Sequence, residues 1–197
     1  MTSRTPQYPI LNLIKDRWSS RAMSSQPLSD QEIRSLFEAA RWAPSSYNNQ
    51  PWRFIIAQRD TPEWNTFLEL LYEPNRVWAH RAGILIVVIS RTLFFFNDTF
   101  SRTHSFDTGA ALENLALQGS DMGLVVHGME GFDYERAKTV LKIPTEYAVE
   151  AMFAIGKPAP ITVLPEILQS REVPSDRKPV KDLVYKGTFG TSFHEEK

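Results

Sequence analysis

The run "AGILIVVIS", residues 82–90, constrains this chain more than any other feature. A strand with one wet face alternates apolar and polar side chains, whereas Ile84 to Ile89 contain no polar residue at all. An unbroken aliphatic run of this kind is expected of a strand buried on both faces. It is far too short to cross a bilayer, which takes about 20 apolar residues in a helix. With 197 residues the chain can bury one sizeable core, and a single domain over 1–197 is expected.

Helical and strand patterns alternate around that run. Residues 10–17 put Ile10, Leu13, Ile14 and Arg17 on one helical face. In "LSDQEIRSLFEAARW", Ser29 and Glu32 have capping-box spacing, and Ile33, Leu36, Phe37 and Ala40 follow a helical period that Pro44 ends. Residues 52–58 read as a strand. "TPEWNTFLELLY" reads as a helix opened by Thr61 and Pro62. Residues 106–123 form a long helix with small residues on several sides, expected to be central and buried. "LVVHGM" is a strand, "DYERAKTVLKI" a helix capped by Asp133, and "EAMFAIGKP" a last core strand. From 158 onward the Pro- and charge-rich tail has little core of its own and is expected to wrap another surface. The residues alone give a one-domain α+β or α/β fold, with no repeat and no linker.

Composition removes several functions. Net charge is −1, so no broad basic surface recommends a nucleic acid or an anionic membrane as partner. There is no cysteine, which excludes disulfides, thiolate nucleophiles and Cys-held metals. His80, His104, His127 and His194 show no ligand spacing, and no metal is expected. The N-terminus lacks the apolar core of a signal peptide, and a cytoplasmic protein is the simplest expectation. Neither a GxGxxG nor a P-loop is present.

Four stretches could carry chemistry. "RWSSR", residues 17–21, offers two guanidiniums and two hydroxyls that match phosphate oxygens. Alone it reads first as a solvated turn with chance charges. "AARWAPSSYNNQPWRF", residues 39–54, places hydroxyls and amides between two prolines with no glycine. Pro44, Ser45, Ser46, Asn48 and Gln50 there could edge a flat, heteroatom-rich ligand, or merely cap neighbouring backbone. "HGMEGFD", residues 127–133, ends a strand with two glycines that would let a ligand approach the backbone. "DRKPV" places Arg177 and Lys178 before a proline in the tail, where basic residues are usually just solvated.

Taken in order, these stretches resemble the FMN-dependent nitroreductase family, from about residue 10 to 185, with 186–197 as a tail. "RWSSR" is similar to the family's N-terminal signature, "AARWAPSSYNNQPWRF" to its most recognisable motif, and "GAALENLALQGSDMGL" to its central helix. The resemblance implies a nitroreductase-like α+β fold, an α/β sandwich with a mostly antiparallel central sheet flanked by helices, whose C-terminal tail is exchanged with a partner subunit. It implies bound FMN, with NAD(P)H as transient electron donor, in a homodimer. Arg17, Ser19 and Arg177 would hold the phosphate, with Trp18 contributing through its backbone. Arg21 would sit near flavin N1 and the C2 carbonyl, where negative charge accumulates on reduction. Asn75 would bind the ribityl or pyrimidine edge, and Glu130 and Gly131 would offer backbone near N5. Pro44, Ser45, Ser46 and Asn48 would come from the partner.

No protein side chain would be catalytic in its own right, because the chemistry is on flavin N5. The expected activity is hydride transfer by a ping-pong cycle to a nitroaromatic, quinone or enone. A sensor or carrier that binds FMN without turnover is the alternative. The segment 91–105 is short beside the family's substrate-covering insertion, and its Phe94, Phe95, Phe96 and Phe100 are read as interface packing rather than pocket lining.

Overall fold

The computed structural model describes residues 4–193. The end of the expected tail, with His194, lies outside them. Four strands form one antiparallel sheet: β1 (Trp52–Gln58), β2 (Ile84–Arg91), β3 (Val125–Met129) and β4 (Tyr147–Gly156), in the order β1-β2-β4-β3. The aliphatic run is β2, hydrogen-bonded to β1 on one side and β4 on the other.

Because side chains alternate across a strand, β2 feeds two separate cores. Leu85, Val87 and Ile89 face one of them. There they meet Trp64, Phe67 and Leu70 of α3 (Trp64–Leu70), Trp78 and Ala79 of α4 (Glu73–Ala79), and Ala137 of α6 (Tyr134–Val140). Ile84, Ile86 and Val88 face the other. Their neighbours are Ile33, Leu36 and Ala40 of α2 (Asp30–Arg41) and Ala111 and Leu115 of α5 (His104–Asp121). Five of the six residues Ile84 to Ile89 are wholly buried and Ile89 is 5% exposed. At about 1.5–3 kcal/mol for each large apolar side chain, this strand alone anchors both layers.

The helix signals act as their chemistry requires. Ser29 Oγ accepts from Glu32 N–H, and the Glu32 carboxylate accepts in return from Ser29 N–H. Asp133 accepts from Arg136 N–H to start α6. Elsewhere the local reading needs correction. α3 starts at Trp64 without a side-chain cap, because the Thr61 hydroxyl turns back to the Gln58 carbonyl. α4 was not anticipated, its sequence "EPNRVWA" being too short to carry a period. α1 (Asn12–Asp16) is short, and Ile10 and Ile14 stay about half exposed. α5 buries only one side, through Asp107, Thr108, Ala111, Leu115, Ala116 and Gly119, while Phe106 is 81% exposed. The tail divides as well. Leu164 joins the core and Glu172 is buried, whereas Leu183, Phe189 and Phe193 are exposed.

Gly119 is where α5 meets β3 and α2 most closely. A Cβ there would stand 2.4 Å from Val126 Cγ2 and 3.2 Å from Leu36 Cδ2. Alanine would gain about 1 kcal/mol of helix propensity, but overpacking a filled core costs about 1–3 kcal/mol. Gly119→Ala should therefore lower stability in urea denaturation; a midpoint at or above that of the parent protein would mean that α5 can move away freely.

Candidate functional site

The segment after α1 leaves the helix at Arg17 and runs extended toward β4. It is fastened there by backbone: Ser24 N–H donates to Lys157 O, Ala159 N–H donates to Ala22 O, and Met23 bridges Pro158. Arg17, Trp18, Ser19 and Arg21 thus stand beside the sheet's β4–β3 edge, all half-buried.

Arg17 and Arg177, 160 positions apart, line one cleft of about 670 Å³. Arg4, Lys15 and Lys178 add further positive charge to its wall, and Glu113 and Asp176 are its acids. Arg17 Nε lies 3.8 Å from Glu113, too far for a good hydrogen bond. Arg4 Nη1 donates to the Arg17 carbonyl at 3.1 Å. Burial, and then the nearness of Arg177 and Arg17, push the Arg4 guanidinium below the ordinary arginine range. Crowded cations of this kind favour an anion between them. Sequence reasoning missed Arg4, since a lone arginine in an extended N-terminal segment carries no pattern.

A second group continues from the first. His127 on β3 places Nδ1 2.9 Å from the Ser20 carbonyl. A carbonyl only accepts, so Nδ1 carries the proton and donates it. The imidazole packs against Trp78 with 4.5 Å between ring centroids. Trp78 lies on α4, three residues from Asn75, and β3 leads on to Glu130 and Gly131. There Asn75 Nδ2 donates to the Gly131 carbonyl at 3.1 Å. A Cβ on Gly131 would fall 2.8 Å from Asn75 Nδ2, so a larger residue there would have to push the Asn75 amide aside. Glu130 is exposed beside it.

Arg21 has a partner that its sequence gave no hint of. Glu172, 151 positions later, accepts from Ser20 Oγ at 2.6 Å, from Arg21 N–H at 2.6 Å and from Ala22 N–H at 3.2 Å. Its other oxygen stands 3.4 Å from Arg21 Nη1.

The 44–50 loop stands elsewhere in the chain and does not line the arginine cleft. Tyr47, Asn48 and Gln50 all have positive φ, at 52°, 53° and 47°, a conformation that non-glycine residues adopt at a cost. The loop is held from within. Ser46 N–H donates to Asp107 Oδ2 at 3.0 Å, Gln50 N–H to Ser45 Oγ at 3.0 Å, and Phe95 N–H to Asn49 Oδ1 at 2.9 Å. Pro44, Tyr47 and Asn48 remain exposed. With Phe95 and Phe96 the loop borders a separate hollow of about 600 Å³. Tyr47 packs edge-on against Phe94 and tilted against Phe96, each with ring centroids 5.7 Å apart. Among the described residues no His/Cys/Asp/Glu group could hold a metal, and no helix is long and apolar enough to cross a membrane.

Comparison with known proteins agrees with this architecture. The family model for the Nitroreductase family matches residues 14–76 and 61–157. A solved structure described as an oxidoreductase containing FMN shares 41% identity at a TM-score of 0.92, covering 97% of this chain and 98% of that one. Protein DrgA of Synechocystis sp. (strain ATCC 27184 / PCC 6803 / Kazusa) is 31% identical over 158 residues, 66% of this chain and 74% of that protein. The NADH dehydrogenase of Thermus thermophilus is 26% identical over 171 residues, 73% of this chain and 83% of that protein. A four-stranded antiparallel sheet between helical layers, in a chain so similar to these proteins, defines an α+β oxidoreductase. The chain belongs to the nitroreductase family.

Burial is the main reason that the His127 pKa falls below its ordinary value of 6.5. As pH drops below about 6.5 the unfolded chain takes up this proton while the folded chain does not, so the unfolded state gains. The stabilisation is complete above that value and is lost as pH falls through the folded-state pKa. The melting temperature should fall between about pH 7.5 and 5.5, and His127→Gln should flatten that slope. Parallel profiles for the two proteins would place His127 in water.

Proposed function

We propose that the protein is an FMN-dependent oxidoreductase that takes two electrons from NAD(P)H and delivers them to a small acceptor by a ping-pong cycle. The observation that carries this reading is the convergence of Arg17 and Arg177, with Arg4, on one cleft. Three guanidiniums crowded together repel one another, and a terminal phosphate between them would offset that repulsion. The donor set further along the edge also fits a flavin. Arg21 supplies a cation for the pyrimidine end of the ring. Asn75, held on the Gly131 carbonyl, has amide atoms for its edge, and the Glu130–Gly131 backbone adjoins it. Ser19 and the Trp18 backbone would complete the phosphate cradle.

When bound, the flavin would supply hydride chemistry at N5 for both half-reactions. One pocket serving both substrates in turn accounts for the lack of a dinucleotide-binding motif. The chain's own residues bind, orient and tune the cofactor, and water serves as the proton source. Flat acceptors with an electron-poor π system, such as nitroaromatics, quinones and enones, match the aromatic Tyr47–Phe96 surface.

The reading extends to a homodimer with FMN at its interface. The half-open α5, the exposed α1 and the exposed aromatic tail are the surfaces such a dimer would cover. Pro44, Ser45, Ser46 and Asn48 would reach the neighbouring subunit's flavin, and the tail beyond residue 185 would cross with them.

Purified protein should be yellow and should bleach on anaerobic NADPH or NADH; a colourless protein that takes up no FMN would end this reading. Arg17→Ala with Arg177→Ala removes charge-assisted bonds worth about 1.5–3 kcal/mol each, so FMN affinity should fall by at least about tenfold while the apoprotein stays folded. Affinity at the parent level in a fluorescence titration would put the phosphate elsewhere.

A further inference from the structure

We propose that Glu172 is the positioning residue of Arg21 and thereby sets the reduction potential of the bound flavin. This rests on the reading that Arg21 faces the flavin pyrimidine. Glu172 sits in the tail just beyond α7 (Glu166–Gln169), and its side chain is only 3% exposed. A carboxylate so far from water survives only where donors replace its hydration. Here they come from one short segment. Oε1 takes the Ser20 hydroxyl and the Arg21 and Ala22 N–H groups, and Oε2 faces the Arg21 guanidinium.

The geometry separates two tasks. The two bonds of 2.6 Å are short and fix the backbone from which Arg21 springs. The guanidinium contact, at 3.4 Å, is longer than the roughly 2.7–2.9 Å of a strong charged pair. Arg21 is steered by Glu172 but not neutralised by it, and its side chain keeps 25% exposure. From the opposite side His127 donates to the Ser20 carbonyl. The turn bearing Arg21 is thus gripped at its N–H groups by the tail and at a carbonyl by β3. A negative charge behind Arg21 weakens the field that this cation projects forward. Removing that charge should leave reduced, anionic flavin better stabilised, and the potential should rise.

The test is potentiometry of the FMN-loaded enzyme. Glu172→Gln keeps one oxygen for the three donors, deletes the charge, and replaces the oxygen that faces Arg21 by an amide N–H₂ that cannot accept from it. It should raise the preference for reduced over oxidised flavin by about tenfold, which for a two-electron couple is about 30 mV. Arg21→Ala should lower the potential, and in that background Glu172→Gln should lose more than half of its effect. A purely structural role for Glu172 would lower the melting temperature, or the affinity for both redox states alike, and leave their ratio unmoved. An unchanged or lowered potential in Glu172→Gln, or an equal rise with and without Arg21, overturns the proposal. Should Glu172→Gln not fold, Glu172→Asp withdraws the carboxylate by one methylene, and a rise in the same direction is expected of it, an unchanged potential counting against. If Arg21→Ala leaves the potential of bound FMN unchanged, the placement of Arg21 fails instead, and the two failures are distinguishable.

Discussion

A strand without a polar residue has to be covered on both sides, and this one requirement organises the molecule. β2 takes β1 and β4 as its hydrogen-bonding neighbours and leaves its two faces to α3, α4 and α6 on one side and to α2 and α5 on the other. β4 carries the requirement outward. Its Ala154 and Met152 extend the first core and its Ile155 the second, so that β3 can lie on its far side as a short edge. The candidate site is built on that edge. The 20–24 segment is bonded to the residues just after β4, and His127 and Gly131 come from β3 and the turn beyond it. The geometry of Arg21 is therefore set by hydrogen bonds to the sheet edge and to the residues just after β4, as a binding constellation requires.

Backbone accounting explains why the tail returns to this place. An extended segment beside the sheet edge, without a strand partner of its own, leaves N–H groups that must be satisfied. Glu172 satisfies two of them and a hydroxyl with one oxygen. The cost of burying the carboxylate is offset by these donors and by Arg21, and removing any one partner would leave the rest exposed to that cost. The same arrangement ties the order of the tail to the order of the site. Residues 164–172 thus belong to the fold, and residues 176–180 return to the cleft beside Arg17, where Val180 N–H donates to Gln7 Oε1.

The sheet was legible from the sequence because its signals are local. Period, composition and the two caps at Ser29 and Asp133 located every strand and the well-formed helices. α4 was hidden because seven residues hold fewer than two turns. The burial of α5 was overestimated for a different reason: apolar and small residues report that a face is covered but not by which chain. In the site, Arg17, Arg177, Asn75 and Gly131 could be named because they stand in ordered motifs, and the structure brings Arg17 to Arg177 and Asn75 to Gly131. Arg4 and Glu172 could not be. Each acts through one contact over a long stretch of chain, and a single charged residue in a polar segment has no spacing to betray it. Asp107, which holds Ser46, is invisible in the same way.

The 44–50 loop shows what a sequence can say about strain without saying where it leads. Three non-glycine residues in the left-handed region cost roughly 1–2 kcal/mol each, and glycine at any of them would relieve it. Such conformations persist only where their surroundings over-determine them. Here Asp107, Ser45 and Asn49 do so, and all three bonds lie on the side facing the loop's own chain. What they hold in place, Pro44, Tyr47 and Asn48, is exposed, with Tyr47 also packed on Phe94 and Phe96. Glycine would have made the turn easier and the exposed edge looser. A loop stiffened inward and presented outward is preorganised for contact with something beyond its own core, since immobilising it in advance removes that entropy from the cost of binding. In the proposed dimer that contact is the neighbouring subunit's flavin, and the polar loop without glycine is stiff because it must meet a ligand it does not itself enclose.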